Sequence, residues 1–399
     1  MSKPVVIVGA SMGGLRMAEA LRRFGYDGPI TAIGDETHAP YNRPPLSKEV
    51  LATEVSHEAV AFPQRPATAD VNWVLGTRAV SADLDHQTVT DSNGEVHPYR
   101  TLIIATGLRP RRLHVPNSEL AGRHAVRTLD DAIALRADLQ PGAKVVVVGA
   151  GFIGCEVAAT ARKLGCEVTV VGPGALPMLR PLGHELAEEM MRRHIDHGVT
   201  FRMKTSVVDL VGESRVTGVV LDDGTTIDCD VLVESIGSHP NTEWLDGLDL
   251  DLTRGVLADS SLRAMKQDGS PWDNVFAIGD VARFPIPTFD NEARQVEHWN
   301  IPTDTAKRAA QVITAEFSSP EDYERVAAER FAPIPSFWSD QYDNHLLAYG
   351  LLALADESRL LEGDLAGDCV FGYYRKGEMV GVCGIGLRSV VQSHRATFA

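Results

Sequence analysis

"VVIVGASMGGLRMAEALRRFG" (residues 5–25) and "VVVVGAGFIGCEVAATARKLG" (145–165) align without a gap. Gly9 falls on Gly149, Gly14 on Gly154 and Gly25 on Gly165. Each copy reads as an apolar strand, a glycine turn, a helix with small residues along one side, and a glycine stop. A second strand follows each, "PITAIGDE" (29–36) and "CEVTVVGP" (166–173). This order is the opening of a dinucleotide-binding βαβ unit. Its glycines serve the tight turn, the approach of backbone to a pyrophosphate, and close helix–strand packing. One such turn is a weak signal, but two in the same context predict two nucleotide sites. The first copy carries Ser11 where the second carries Gly151, the position that faces a pyrophosphate.

Outward from the repeat, the punctuation keeps the same plan. "DSNGEV" (91–96) and "DDGTTI" (222–227) read as hairpin turns, each leading into a buried strand that ends in glycine, "TLIIATG" (101–107) and "DVLVESIG" (230–237). "WDNVFAIGD" (272–280) is a lone strand after the second unit, so the first domain is interrupted by the second and then resumes. The expected fold is α/β: two Rossmann-like nucleotide-binding domains, the second inserted in the first, and a small α+β C-terminal domain. The boundaries expected are 1–112 with 246–321 for the first, 113–245 for the second and 322–399 for the third. A chain of 399 residues has room for three such cores.

The formal net charge of −16 disfavours nucleic acid and anionic membranes as partners. The apolar runs are too short to span a bilayer, and no secretory pattern precedes the first strand. The five cysteines (155, 166, 229, 369 and 383) form no C-x-x-C, which fits a reducing cytoplasm and argues against thiol chemistry. His194 and His197 have ligand-like spacing but no third ligand nearby, and read as residues of a surface helix rather than of a metal site. No metal is expected.

In the first copy, Asp35 and Glu36 end the second strand, where a carboxylate accepts a ribose hydroxyl. "PYNRPPLSKEVL" (40–51) follows; Arg43 is suited to pair with a pyrophosphate and Lys48 to neutralise a charged ring. Trp299 and Trp338, judged by residue type alone, belong to the core.

The segments "GDETHAPYNRPPLSKEVL" (34–51), "LIIATGLRPR" (102–111), "VRTLDDAIALR" (126–136), "GAGFIGCEVAATARKLG" (149–165), "NVFAIGDVARFP" (274–285), "VEHW" (296–299) and "FWSDQYD" (337–343) carry a family resemblance along essentially the whole chain. The chain resembles the FAD-dependent ferredoxin reductases of the putidaredoxin reductase type, flavoproteins of glutathione-reductase fold that feed Rieske oxygenases and bacterial cytochromes P450. The resemblance implies FAD at the first site, with Gly9, Ser11, Gly14, Asp35, Glu36, Arg43, Lys48, Thr106, Gly107, Arg109, Arg127 and Asp280 around it. Glu297, His298 and Trp299 would border the flavin, with Trp338 nearby. The second site, with Gly149, Gly151, Phe152, Ile153, Gly154, Glu156 and Gly237, would receive the nicotinamide nucleotide. Glu156 and Lys48 are the pair expected at the point of hydride transfer.

The reaction implied is hydride transfer from NAD(P)H to FAD, then single electrons to a small iron–sulfur ferredoxin of the 2Fe–2S kind. Rubredoxin reductase, NADH oxidase and an apoptosis-inducing-factor-like redox sensor are the alternatives. NADH is expected ahead of NADPH, but the family's ribose-binding glutamate after "VTVV" is replaced by Gly172-Pro173-Gly174, with Arg180 the nearest downstream arginine. Candidate cations for docking are the run 109–112 and the group Arg294, Lys307 and Arg308.

Overall fold

The computed structural model describes residues 4–53 and 56–398. In chain order, the elements that position the site begin with β1 (Val5–Val8), α1 (Met12–Arg23), β2 (Ile30–Ile33) and β3 (Thr101–Ile104). The second unit contributes β4 (Lys144–Val148), α2 (Phe152–Lys163), β5 (Glu167–Gly172), α3 (Leu179–Asp196), β6 (Thr200–Met203) and β7 (Val231–Glu234). Then come β8 (Pro271–Ala277), α4 (Ile301–Ser318) and β9 (Ser336–Gln341).

The first sheet has six strands in the order Arg263–Met265, β8, β3, β1, β2, Asn72–Val74. β1 runs parallel to β2 and β3, with Val5 opposite Ile30 and Thr101. β8 returns parallel to β3 some 170 residues later in the chain, with Phe276 opposite Ile103. The second sheet, β6-β5-β4-β7 with Arg123–His124 at its edge, is parallel throughout. Parallel strands are covered on both faces, which is why β1, β3 and β7 are buried at every position and read as unbroken apolar runs. Thr101, which opens β3, is a polar exception, and Glu234 at the end of β7 a charged one. Arg123 (2.6 Å) and Arg112 (3.2 Å) pair with its two oxygens, so the buried charge is compensated.

Each parallel unit carries a three-stranded antiparallel insert, 79–98 in the first and 207–228 in the second. The chain crosses between the units along Leu108–Pro110 and Ser238–Pro240, which pair antiparallel. The C-terminal region forms a five-stranded antiparallel sheet with β9 at one edge. Its inner face packs on α3, where Leu182, Leu186 and Met190 meet Leu346 and Phe371. Arg308 of α4, expected on a docking face, is instead 4% exposed and donates to the carbonyls of Ser260, Val326 and Glu329. A guanidinium with five donors suits such carbonyl-rich corners.

Candidate functional site

The three units enclose one cleft of about 1420 Å³. It runs along the carboxyl ends of the parallel strands, the place where open α/β sheets take ligands. Gly9, Ser11, Asp35, Glu36, Arg43, Lys48, Thr106, Gly107, Arg109, Arg127 and Asp280 line it from the first unit. Gly151, Phe152, Ile153, Glu156 and Gly237 line it from the second, and Glu297, His298, Trp299 and Trp338 complete its wall.

Gly14, Gly149 and Gly154 do not line the cleft; they make its turns buildable. Gly9 has φ +123°, and a Cβ there would lie 2.1 Å from the Ala105 carbonyl oxygen. At Gly149 (φ +108°) the corresponding obstacle is the Ser235 oxygen, at 2.0 Å. A Cβ on Gly14 or Gly154 would lie 2.1 Å from the oxygen of Gly9 or Gly149, so both helices sit directly against their turns. A Cβ on Gly151 would meet nothing within 4 Å, so the helix N-terminus there is open to a ligand.

The first turn is already occupied by side chains. The Arg43 guanidinium pairs with Glu36 and also donates to the Arg127 carbonyl at 2.6 Å and to Ser11 Oγ at 3.2 Å. Tyr41 donates to Glu36 at 2.5 Å and accepts from the Leu129 amide at 2.9 Å. Burial works against the Arg43 charge, but Glu36 beside it outweighs that and raises the pKa above the ordinary arginine value. Asp35 is more exposed and faces Arg78 at 3.6 Å. Of the two acids read as ribose acceptors, Glu36 is thus held by an arginine and a tyrosine, whereas Asp35 stands at the rim.

At the centre of the cleft, Lys48 Nζ lies 2.7 Å from Glu156 Oε2, and both side chains are nearly excluded from solvent. Lys48 sits where a proline-stiffened 3₁₀ turn, Pro44–Ser47, ends. Thr160 of α2 fastens that turn through the Ser47 carbonyl at 2.9 Å, and Ser47 Oγ donates to Glu156 at 2.5 Å. Further along, Arg127 reaches Asp280 at 3.3 Å, and Thr106 and Asn241 exchange hydrogen bonds of 2.7 and 2.9 Å. Glu297 is solvent-exposed on the cleft wall, where desolvation by the surrounding protein and the Asp280 charge raise its carboxyl above its ordinary pKa. Burial pushes the His298 imidazole down to about 4, so it is neutral at pH 7.

Several expectations are corrected. Trp299 is 39% exposed, stacks edge-on to Trp338 at 5.5 Å and belongs to the cleft wall, not the core. His194 is not on a surface: it is fully buried against Gln341, at 2.6 Å, and Tyr342. The cations proposed for docking are mostly spoken for. Arg109 pairs with Glu243, Arg112 with Glu234 and Arg294 with Asp290, while Arg111 donates to the Ser238 carbonyl. Asp290 is only four residues from Arg294, but the partners of Arg109, Arg111 and Arg112 lie far along the chain, where the sequence gives no sign of them.

Sequence reasoning did not find Ser47, Tyr41, Ser339 or Gln341. Only their places in "PYNRPPLSK" and "FWSDQYD" hinted at them. All five cysteines are buried and free. Burial lifts the Cys229 thiol to about 12 and that of Cys155 well above the usual range, so neither is a ready thiolate. Gly172 ends β5 beside Met203, and Pro173, Gly174 and Ala175 beyond it are exposed. Residues 173–175 themselves carry no carboxylate.

Comparison with known proteins gives a consistent picture. The model of the pyridine nucleotide-disulphide oxidoreductases matches residues 3–306. Rhodocoxin reductase of Rhodococcus erythropolis is 36% identical, over 88% of this chain and 79% of its own length. The ferredoxin–NAD(+) reductase component of the anthranilate 1,2-dioxygenase system of Burkholderia cepacia is 35% identical, over 99% and 94%. Among solved structures, the ferredoxin reductase for the CYP199A2 system of Rhodopseudomonas palustris superposes with a TM-score of 0.89 at 33% identity, covering 99% of this chain and 94% of that one. The covalent putidaredoxin reductase–putidaredoxin complex gives 0.90 at 28%, over 99% and 93%.

Proposed function

We propose, for a chain that belongs to the pyridine nucleotide-disulphide oxidoreductase family and to its ferredoxin reductases, that this cleft holds FAD and admits NAD(P)H. The observation that carries the reading is the convergence of two glycine turns on one cleft with the Lys48–Glu156 pair between them. The cleft suits such a group by its chemistry. Two helix N-termini face it, Gly151 leaves room for backbone contact with a phosphate, and Trp299 and Trp338 give it an aromatic wall.

In this reading the first domain comprises 1–112 and 246–321, the nicotinamide domain 113–245 and the third domain 322–399. Gly9, Ser11, Asp35, Glu36, Arg43, Thr106, Gly107, Arg109, Arg127 and Asp280 hold FAD, and Glu297, His298 and Trp299 border its ring. Gly151, Phe152, Ile153 and Gly237 receive the nicotinamide nucleotide. Bound FAD supplies hydride acceptance from NAD(P)H and one-electron delivery to a ferredoxin. Lys48 and Glu156 fix the meeting point of the two cofactors and keep a positive charge there, balanced by a carboxylate. The walls exclude water, which strengthens those interactions. Buried, unpaired cysteines support an external one-electron carrier rather than a disulfide as the acceptor.

NADH is the favoured reductant, and the bare strand end at Gly172 makes discrimination against NADPH weak. A 2Fe–2S ferredoxin serving a cytochrome P450 or Rieske oxygenase is the proposed partner, in the cytoplasm. No helix among the described residues is long and apolar enough to cross a membrane. The test is reduction of cytochrome c by the purified yellow protein, with NADH or NADPH, with and without a 2Fe–2S ferredoxin. Stimulation by the ferredoxin is expected; slow reduction that no such ferredoxin accelerates would sink the reading.

A further inference from the structure

Glu156 is where the three units touch. Its Oε2 accepts from Ser47 and Lys48 of the first unit, while Oε1 accepts from Ser339 Oγ of β9 at 2.6 Å. Ser339 and Gln341 are two apart on a strand and so share a face. Gln341 Nε2 donates to Ser339 Oγ at 2.9 Å, and its Oε1 lies 2.6 Å from His194 Nε2 on α3. An amide oxygen can only accept, so His194 carries its proton on Nε2. The direction of every bond is thereby set: His194 donates to Gln341, Gln341 to Ser339, and Ser339 to the carboxylate. Glu156, Ser339, Gln341 and His194 are all buried, with no solvent to substitute for a lost partner.

We infer that the C-terminal domain contributes a positioning arm to the hydride-transfer centre: Ser339, braced by Gln341 and His194, orients Glu156 so that its other oxygen holds Lys48. The inference rests on the proposed role of Lys48 and Glu156. It makes the third domain part of that centre as well as a cover over it.

The experiment follows reduction of the FAD-loaded holoenzyme by NADH in a stopped-flow instrument, together with the long-wavelength charge-transfer absorbance of the reduced enzyme with NAD+. Ser339→Ala is expected to slow reduction at saturating NADH about tenfold, the cost of a lost hydrogen bond to a charged group, with FAD content kept. Its charge-transfer band should change, and Ser339→Thr should restore both readouts. Gln341→Leu should slow reduction less than Ser339→Ala, and His194→Phe least. Melting temperatures should rank the other way, because the larger buried side chains are lost at Gln341 and His194. If Ser339→Ala reduces at the wild-type rate with an unchanged band, or if the rate losses follow the melting temperatures, the arm is merely structural. Lys48→Met separates the two claims. A wild-type rate in that variant overturns the reading of the pair itself, whereas a slow Lys48→Met beside a normal Ser339→Ala overturns only the arm.

Discussion

The two glycine turns descend from one sequence pattern and end in opposite states. Around the first, Glu36, Arg43, Tyr41 and Ser11 form a closed set of ionic and hydrogen bonds, tied to the backbone of 127–129. Around the second, even a Cβ added at Gly151 would meet nothing within 4 Å, and Gly172 offers no side chain. A turn framed by fixed, desolvated charges suits a group that stays. One left open suits a group that comes and goes. The same backbone motif therefore serves retention or exchange according to what surrounds it.

The largest effect is expected where the two turns meet. Lys48→Met strands Glu156 as a buried unpaired charge, which costs about 3–5 kcal/mol of stability. Flavin reduction should fall by roughly two orders of magnitude. Thermal unfolding and stopped-flow reduction by NADH check the two parts, and an unaltered rate would show that the two sites do not share this pair.

Next come the turns themselves. Gly149→Ala places a methyl 2.0 Å from a carbonyl oxygen and should abolish soluble protein or leave it grossly destabilised. Gly151→Ala should fold within about 0.5 kcal/mol of wild type, keep its FAD, and raise KM for NADH. If Gly151→Ala instead loses flavin, the assignment of the two turns is reversed. Arg43→Ala probes the closed turn: it leaves Glu36 and Tyr41 without their cation, and bound FAD per chain, read from the visible spectrum, should fall while KM for NADH holds. Gly172→Glu probes the open one by restoring a ribose acceptor, and the ratio of kcat/KM for NADH over NADPH should rise about tenfold.

The smallest effect concerns acid stability. His298 in the fold stays neutral down to about pH 4, while a histidine in an unfolded chain protonates near pH 6.5. The unfolded state takes up the proton first as pH falls, so the stability present above about 6.5 drains away toward 4. The loss is of order 1–3 kcal/mol. His298→Gln should flatten that part of the melting-temperature profile of the apoprotein, and an unchanged slope would place the imidazole in contact with solvent.

Much of the architecture was legible along the chain, because βαβ units write themselves locally. An apolar run of four or five residues, a glycine that no other residue can replace, and small residues on one helix face all follow from contacts within about 30 residues. The 140-residue repeat and the return strand at 272–280 follow from the same local rules. Arg43, Lys48 and Glu156 could be singled out because ionisable residues in apolar or proline-stiffened segments need a reason to be there. What such reading misassigned were side chains whose environment is set by distant partners: Arg308, Trp299 and His194.

The repeat, the order of the units and the absence of a C-x-x-C motif were thus decided by the sequence itself, since each rests on neighbours in the chain. Only the tertiary structure decided that Glu36 is held by Arg43 rather than free, that Arg109 and Arg112 are paired with distant carboxylates, and that Ser339, 183 residues away, reaches Glu156. The physical reason is that the charge and hydrogen bonding of a buried side chain depend on what crosses the space beside it, and packing brings together atoms that chain order keeps apart.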